Sequence, residues 1–122
     1  LGAFPVHRGE ADKAAIRRAL ELLDEGWALL IFPEGRRGDG KRLEEANRGV
    51  ELLARRSGAK ILPVGIIGTL RWLPKGAKIP HPTRITVRFG EPFEWSDNAD
   101  FQCSLMSRIS VLCGVPARTR RT

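Results

Sequence analysis

Phe32-Pro33-Glu34-Gly35-Arg36-Arg37 places an acid, a glycine and two arginines directly after the apolar run Ala28-Leu29-Leu30-Ile31. The run reads as a buried strand, so these groups arrive at a strand end, where open α/β sheets bind their ligands. Pro33 fixes φ and lacks a donor, which ends the strand. Gly35 permits a turn that other side chains resist. Arg37 can offer a planar fork of donors to a phosphate or carboxylate. Glu34 has the same sign as such an anion. Its work would be to hold Arg8, Arg37 or a ligand hydroxyl by a charge-assisted bond. The plainer alternative is a charged turn closed by a salt bridge.

Other residues could do chemistry. His7 and Asp12 spell H-x-x-x-x-D, and a histidine with a carboxylate is one pair that could serve as a base and its partner. Asp12 also falls where a helix-start acid is expected, and the simpler reading is a surface histidine beside a capping aspartate. Arg8 ends the first apolar segment and could meet the same anion as Arg37. His81 lies between Pro80 and Pro82 with no second His or Cys nearby, so no metal site is expected.

The order of these blocks resembles the lysophosphatidic acid acyltransferase family (1-acylglycerol-3-phosphate O-acyltransferases). Its F-x-x-R-type block is matched at Phe4, Pro5, Val6 and Arg8, and its F-P-E-G-T-R-S block at Phe32, Pro33, Glu34, Gly35 and Arg37. Its V-P-V block is matched at Pro63 and Val64. Arg36 stands where the family usually has Thr, and Gly38 where it has Ser, which removes a hydroxyl and adds a positive charge. The resemblance implies a glycerolphosphate acyltransferase-like α/β fold, present in part. It implies phosphate binding by Arg8 and Arg37 with Glu34 and Gly35 in support. It also implies transfer of an acyl group from acyl-CoA or acyl carrier protein, as co-substrate, to lysophosphatidic acid, giving phosphatidic acid in phospholipid biosynthesis. The family's catalytic block, N-H-x-S-x-x-D, precedes the F-x-x-R block and is not in this sequence. The chain is therefore expected to be the C-terminal portion of such an enzyme, inactive alone, with His7 and Asp12 as the weaker catalytic alternative. No cofactor or metal is expected. The parent is expected on the cytoplasmic face of a membrane, peripheral or anchored through an N-terminal part.

Elements must position these groups. Ala3 to Val6 reads as a strand, Glu10 to Glu25 as a helix stopped at Gly26, and Trp27 to Phe32 as a second strand. Leu43 to Ser57 reads as a helix closed by Gly58. Ile61 to Ile67 reads as a buried strand in which Pro63 removes a ladder bond. Thr83 to Phe89 alternates as a fourth strand, and Asp97 to Cys113 reads as a helix with Phe101, Leu105, Ile109 and Leu112 inward. This alternation predicts an α/β domain over residues 1–115, a mainly parallel sheet with flanking helices and right-handed crossovers. Residues 116–122 are expected to form a disordered basic tail.

The 122 residues allow one domain, with a net charge of +7 that favours an acidic partner. An anionic membrane surface fits, and Leu70-Arg71-Trp72-Leu73-Pro74-Lys75 mixes apolar, aromatic and basic residues as an interfacial loop would. A packed loop is the alternative. Two rival functions stand beside the transferase: a non-catalytic anionic-lipid-binding remnant and a small basic nucleic-acid-binding module. Against the second, no nucleic-acid-binding signature is present and Tyr is absent. Cys103 and Cys113 sit about 15 Å apart along one helix, too far for a disulfide. No apolar run reaches the roughly 18 residues of a membrane span.

Overall fold

A computed structural model describes residues 2–4, 12–36, 38–73, 76–97 and 100–118. In chain order the elements are α1 (Lys13–Asp24), α2 (Arg48–Ser57), β1 (Val64–Ile67), α3 (Thr69–Trp72), β2 (Thr86–Phe89) and α4 (Phe101–Cys113).

The helices start and stop where local chemistry dictates. The Asp12 carboxylate accepts from Ala15 N–H and caps α1, Asn47 accepts from Gly49 N–H and caps α2, and Asp100 accepts from Cys103 N–H and caps α4. At the end of α1, Gly26 N–H donates to Leu23 and Trp27 N–H to Leu22, the paired bonds of a Schellman stop with Gly26 at positive φ. The cap at Asn47 shortens the expected Leu43–Ser57 helix. Leu43 instead pairs with Ala117 in an isolated parallel bridge.

The core lies between α2 and α4. Ala46, Ala54, Phe101, Leu105 and Met106 are buried there, with Leu43, Val50, Ile61, Phe93, Trp95 and Ile109 packed around them. Phe101 and Leu105 face inward as expected, Ile109 and Leu112 are half-buried, and Met106 joins them. Ala15 and Ala19 are buried on α1, which packs on α2. Cys103 and Cys113 are free thiols on α4.

The expected mainly parallel sheet is corrected. The described sheet has two strands, β1 and β2, and they are antiparallel, with Val64 opposite Phe89 and Ile67 opposite Thr86. A parallel neighbour needs a long crossover, usually helical. Here the connection carries Pro74, Gly76, Pro80 and Pro82, and its helix is a single turn. Ile61 opposite Phe93 extends the pairing, but with two residues on one side against three on the other, a one-residue bulge. Pro63 sits at that bulge. It stands opposite Gly90, one pair beyond β1 and β2; its carbonyl accepts from Gly90 N–H at 2.9 Å, and its missing N–H leaves the return bond of that pair unmade, as the sequence implies. Gly65 faces α4, where a Cβ would lie 2.7 Å from Leu112 Cβ and 2.9 Å from Cys113 N.

The expected strand Trp27–Phe32 pairs with nothing among the described residues, and Leu30 is 82% and Phe32 66% exposed. An apolar run alone does not make a strand; a ladder partner must lie beside it. Gly2 to Phe4 are likewise not in a strand, and Val6 lies outside the described residues. The first residues of the expected basic tail are held in the fold. Leu43 N–H donates to Pro116 and Arg118 N–H to Leu43, both at 2.9 Å, so residues 116–118 are held, while 119–122 lie outside the described residues. Among the described residues no helix is long and apolar enough to cross a membrane.

Candidate acceptor-binding site

The segment after Trp27–Phe32 forms a turn closed by Gly35 N–H donating to the Phe32 carbonyl at 3.1 Å, with Gly35 at φ +65°. That conformation favours glycine and explains its place in the motif. The turn is held from outside by the segment leading into α2. Asn47 N–H donates to the Pro33 carbonyl at 2.8 Å, and Glu44 N–H donates to Glu34 Oε2 at 2.8 Å. Glu34 therefore binds a backbone amide across the loop. The expected partners, Arg8 and Arg37, lie outside the described residues, as does His7.

Arg36, the departure from the F-P-E-G-T-R-S pattern, pairs with Glu44 Oε2 at 3.1 Å. Arg118 reaches the same oxygen at 3.1 Å. Glu44 is thus shared by the loop and the segment following α4. The hydrogen bond from Arg118, then that from Arg36, holds its carboxyl below the usual carboxylate range. Asp39 accepts from Lys41 N–H at 2.9 Å, and this bond lowers its pKa in the same way. The loop ends against a leucine. A Cβ on Gly40, at φ +76°, would lie 2.5 Å from Leu70 Cδ2.

The sequence signals missed Glu44 and Asn47 as loop supports. Asn47 is a preferred helix-capping residue, and reading it as a cap would have freed Glu44 from the helix. Asp12 is placed as the α1 cap. Among the described residues no cluster of three or more His, Cys, Asp or Glu could hold a metal. What the described site offers is a braced turn whose glycine conformation and backbone amides are fixed before any ligand arrives.

The pattern of the family described as Acyltransferase matches residues 1–67, more than half of the chain. The chain belongs to the acyltransferase family, in its lysophosphatidic acid acyltransferase group. It is 28% identical over 107 residues to a chloroplastic 1-acyl-sn-glycerol-3-phosphate acyltransferase of Arabidopsis thaliana, covering 85% of this chain and 30% of that protein. A chloroplastic enzyme of the same description from Brassica napus is 28% identical over 106 residues, covering 84% and 30%. The crystal structure of the 1-acyl-sn-glycerophosphate acyltransferase PlsC from Thermotoga maritima superposes with a TM-score of 0.72 at 26% identity, covering 80% of this chain and 42% of that one. The chain thus spans 30% of the length of the curated relatives it matches. Arg36, the extra positive charge over the family pattern, pairs with Glu44, which it shares with Arg118.

Proposed function

We propose that this chain is the acceptor-binding part of an enzyme that transfers an acyl group from acyl-CoA or acyl carrier protein to lysophosphatidic acid, giving phosphatidic acid. The observation that supports this most is the Phe32–Gly35 turn, the F-P-E-G block of an acyltransferase, fixed in place by Glu44 and Asn47. Arg8 and Arg37 bind the acceptor phosphate, Gly35 sets the turn, and Glu34 holds the loop through its bond to the Glu44 amide. Thioester attack by a hydroxyl requires a base and charge stabilisation. The family's N-H-x-S-x-x-D block is not in this sequence, so in this reading the base comes from outside these 122 residues. The enzyme works at a membrane surface, where its acceptor resides.

The test has two arms. Purified chain with lysophosphatidic acid and oleoyl-CoA should give no turnover; turnover abolished by His7→Ala would move the base to His7. In an active protein carrying the upstream block, Arg37→Ala should lower kcat/KM for the phosphorylated acceptor about 10- to 150-fold, the effect of losing a contact of roughly 1.5–3 kcal/mol. An effect within about twofold would make Arg37 a surface residue.

A further inference from the structure

Between Glu51 and Glu91 the chain carries eight Lys and Arg and not one Asp or Glu. That exceeds the net charge of +7 of the whole molecule, so the rest is close to balanced. The centre of this stretch is the connection between β1 and β2. It is a closed lobe: Gly68 lies against the backbone of Arg84, and His81 N–H donates to the Trp72 carbonyl at 2.7 Å. Its surface mixes two properties. Leu70, Trp72 and Ile79 are exposed, Ile79 by 74%, and Arg71, Lys78 and Arg84 are exposed among them. No ion pair among the described residues involves those three bases.

We infer that the described residues of this lobe, 68–73 and 76–85, dock on the surface of an anionic phospholipid bilayer. Tryptophan with aliphatic side chains suits the boundary between headgroups and acyl chains, and unpaired Lys and Arg suit a negatively charged leaflet. A polyanion such as nucleic acid would satisfy the bases but leave Leu70, Trp72 and Ile79 in water; a bilayer takes both. Leu70 touches the loop at Gly40, so docking would bring the Phe32–Asn47 loop to the membrane. That consequence rests on the proposed function, whereas the docking itself does not and is tested without activity.

Cosedimentation of the full chain with phosphatidylcholine vesicles, with and without phosphatidylglycerol, reads the partition coefficient. Binding is expected only with the anionic lipid. Combined Arg71→Gln, Lys78→Gln and Arg84→Gln should weaken it roughly 100-fold, about 5-fold per charge. The charge-matched set Arg17→Gln, Arg48→Gln and Arg56→Gln, outside the lobe, should change it less than about threefold. Brominated lipid should quench tryptophan fluorescence in the wild type, and Trp72→Phe, with Trp27 and Trp95 retained, should abolish the quenching. Circular dichroism confirms that each variant is folded. Equal loss in both charge sets, quenching that survives Trp72→Phe, absence of vesicle binding, or preference for duplex DNA at the same ionic strength would each overturn the assignment.

Discussion

The loop from Phe32 to Asn47 and the lobe from Gly68 to Ile85 are both irregular and each carry four Lys and Arg, and they meet at Gly40 and Leu70. They settle their charges in opposite ways. In the loop, Glu34 and Asp39 take backbone amides, and Glu44 takes Arg36 and Arg118. In the lobe no acid is present at all, and what closes it is backbone packing. A base with an acid beside it is committed to the fold. A base in a stretch without acids remains available to a ligand. The family's arginine motif illustrates the point: Arg36 belongs to the first kind, and the same test applied to Arg37 is kinetic.

The largest expected effect strikes the backbone packing that closes the lobe. Gly68 sits at φ +99°, and a Cβ there would overlap the Arg84 carbonyl oxygen. Gly68→Ala combines positive-φ strain with a backbone clash, together about 2–4 kcal/mol. Urea unfolding should show the loss, and the His81 amide should lose protection in hydrogen exchange. A change under about 0.5 kcal/mol would mean that the lobe is not closed by this approach, and the contrast with the loop would fail.

The next effect is on the loop itself. Glu34→Ala removes the acceptor of the Glu44 amide. Water can reach a half-buried amide, so the loss should be about 1 kcal/mol, less than for a buried one. Hydrogen exchange should speed up at Glu44, Asn47 and Gly35 and not in the lobe. Faster exchange only at Glu44 would show that the Pro33–Asn47 bond alone holds the turn.

How much was legible follows from the range of each cause. The ends of α1 and α4 depend on neighbouring residues, Asp12 and Gly26 for one and Asp100 and Gly114 for the other. Local rules read these to within a few residues. The pairing of β1 with β2 depends on what joins them. The prolines of the connection disfavour a helical crossover, but the strands' own composition does not say whether they pair parallel or antiparallel. The run Ala28–Ile31 had the composition of a buried strand, yet burial is supplied by partners that no local pattern encodes. In the site, the turn at Pro33 and Gly35 was readable. Glu34's amide partner was not, because it comes from ten residues away, on the segment ahead of the Asn47 cap. The Arg118–Glu44 pair spans 74 residues and lay beyond any spacing argument.

The smallest effect separates charge from shape in the loop. Arg118 first, then Arg36, lowers the Glu44 pKa from its ordinary value of 4.5. A carboxylate with a depressed folded-state pKa contributes stability above its unfolded value, and the contribution is lost as pH falls through the folded value. Glu44→Gln removes the charge and nearly keeps the shape. Both arginines are largely exposed, so solvent and salt screen the pairs and the difference should be small. Urea midpoints of wild type and Glu44→Gln should differ slightly at neutral pH and converge as pH drops below about 4.5. High salt at neutral pH should produce the same convergence. Arg118→Ala should reproduce most of the pH dependence of the variant and Arg36→Ala less of it, in the order of their influence on Glu44. A gap unchanged by pH and by salt would mean that Glu44 acts through packing alone. The loop's arginine would then be as unspent as those of the lobe, and the distinction between the two regions would have to rest on geometry instead of charge.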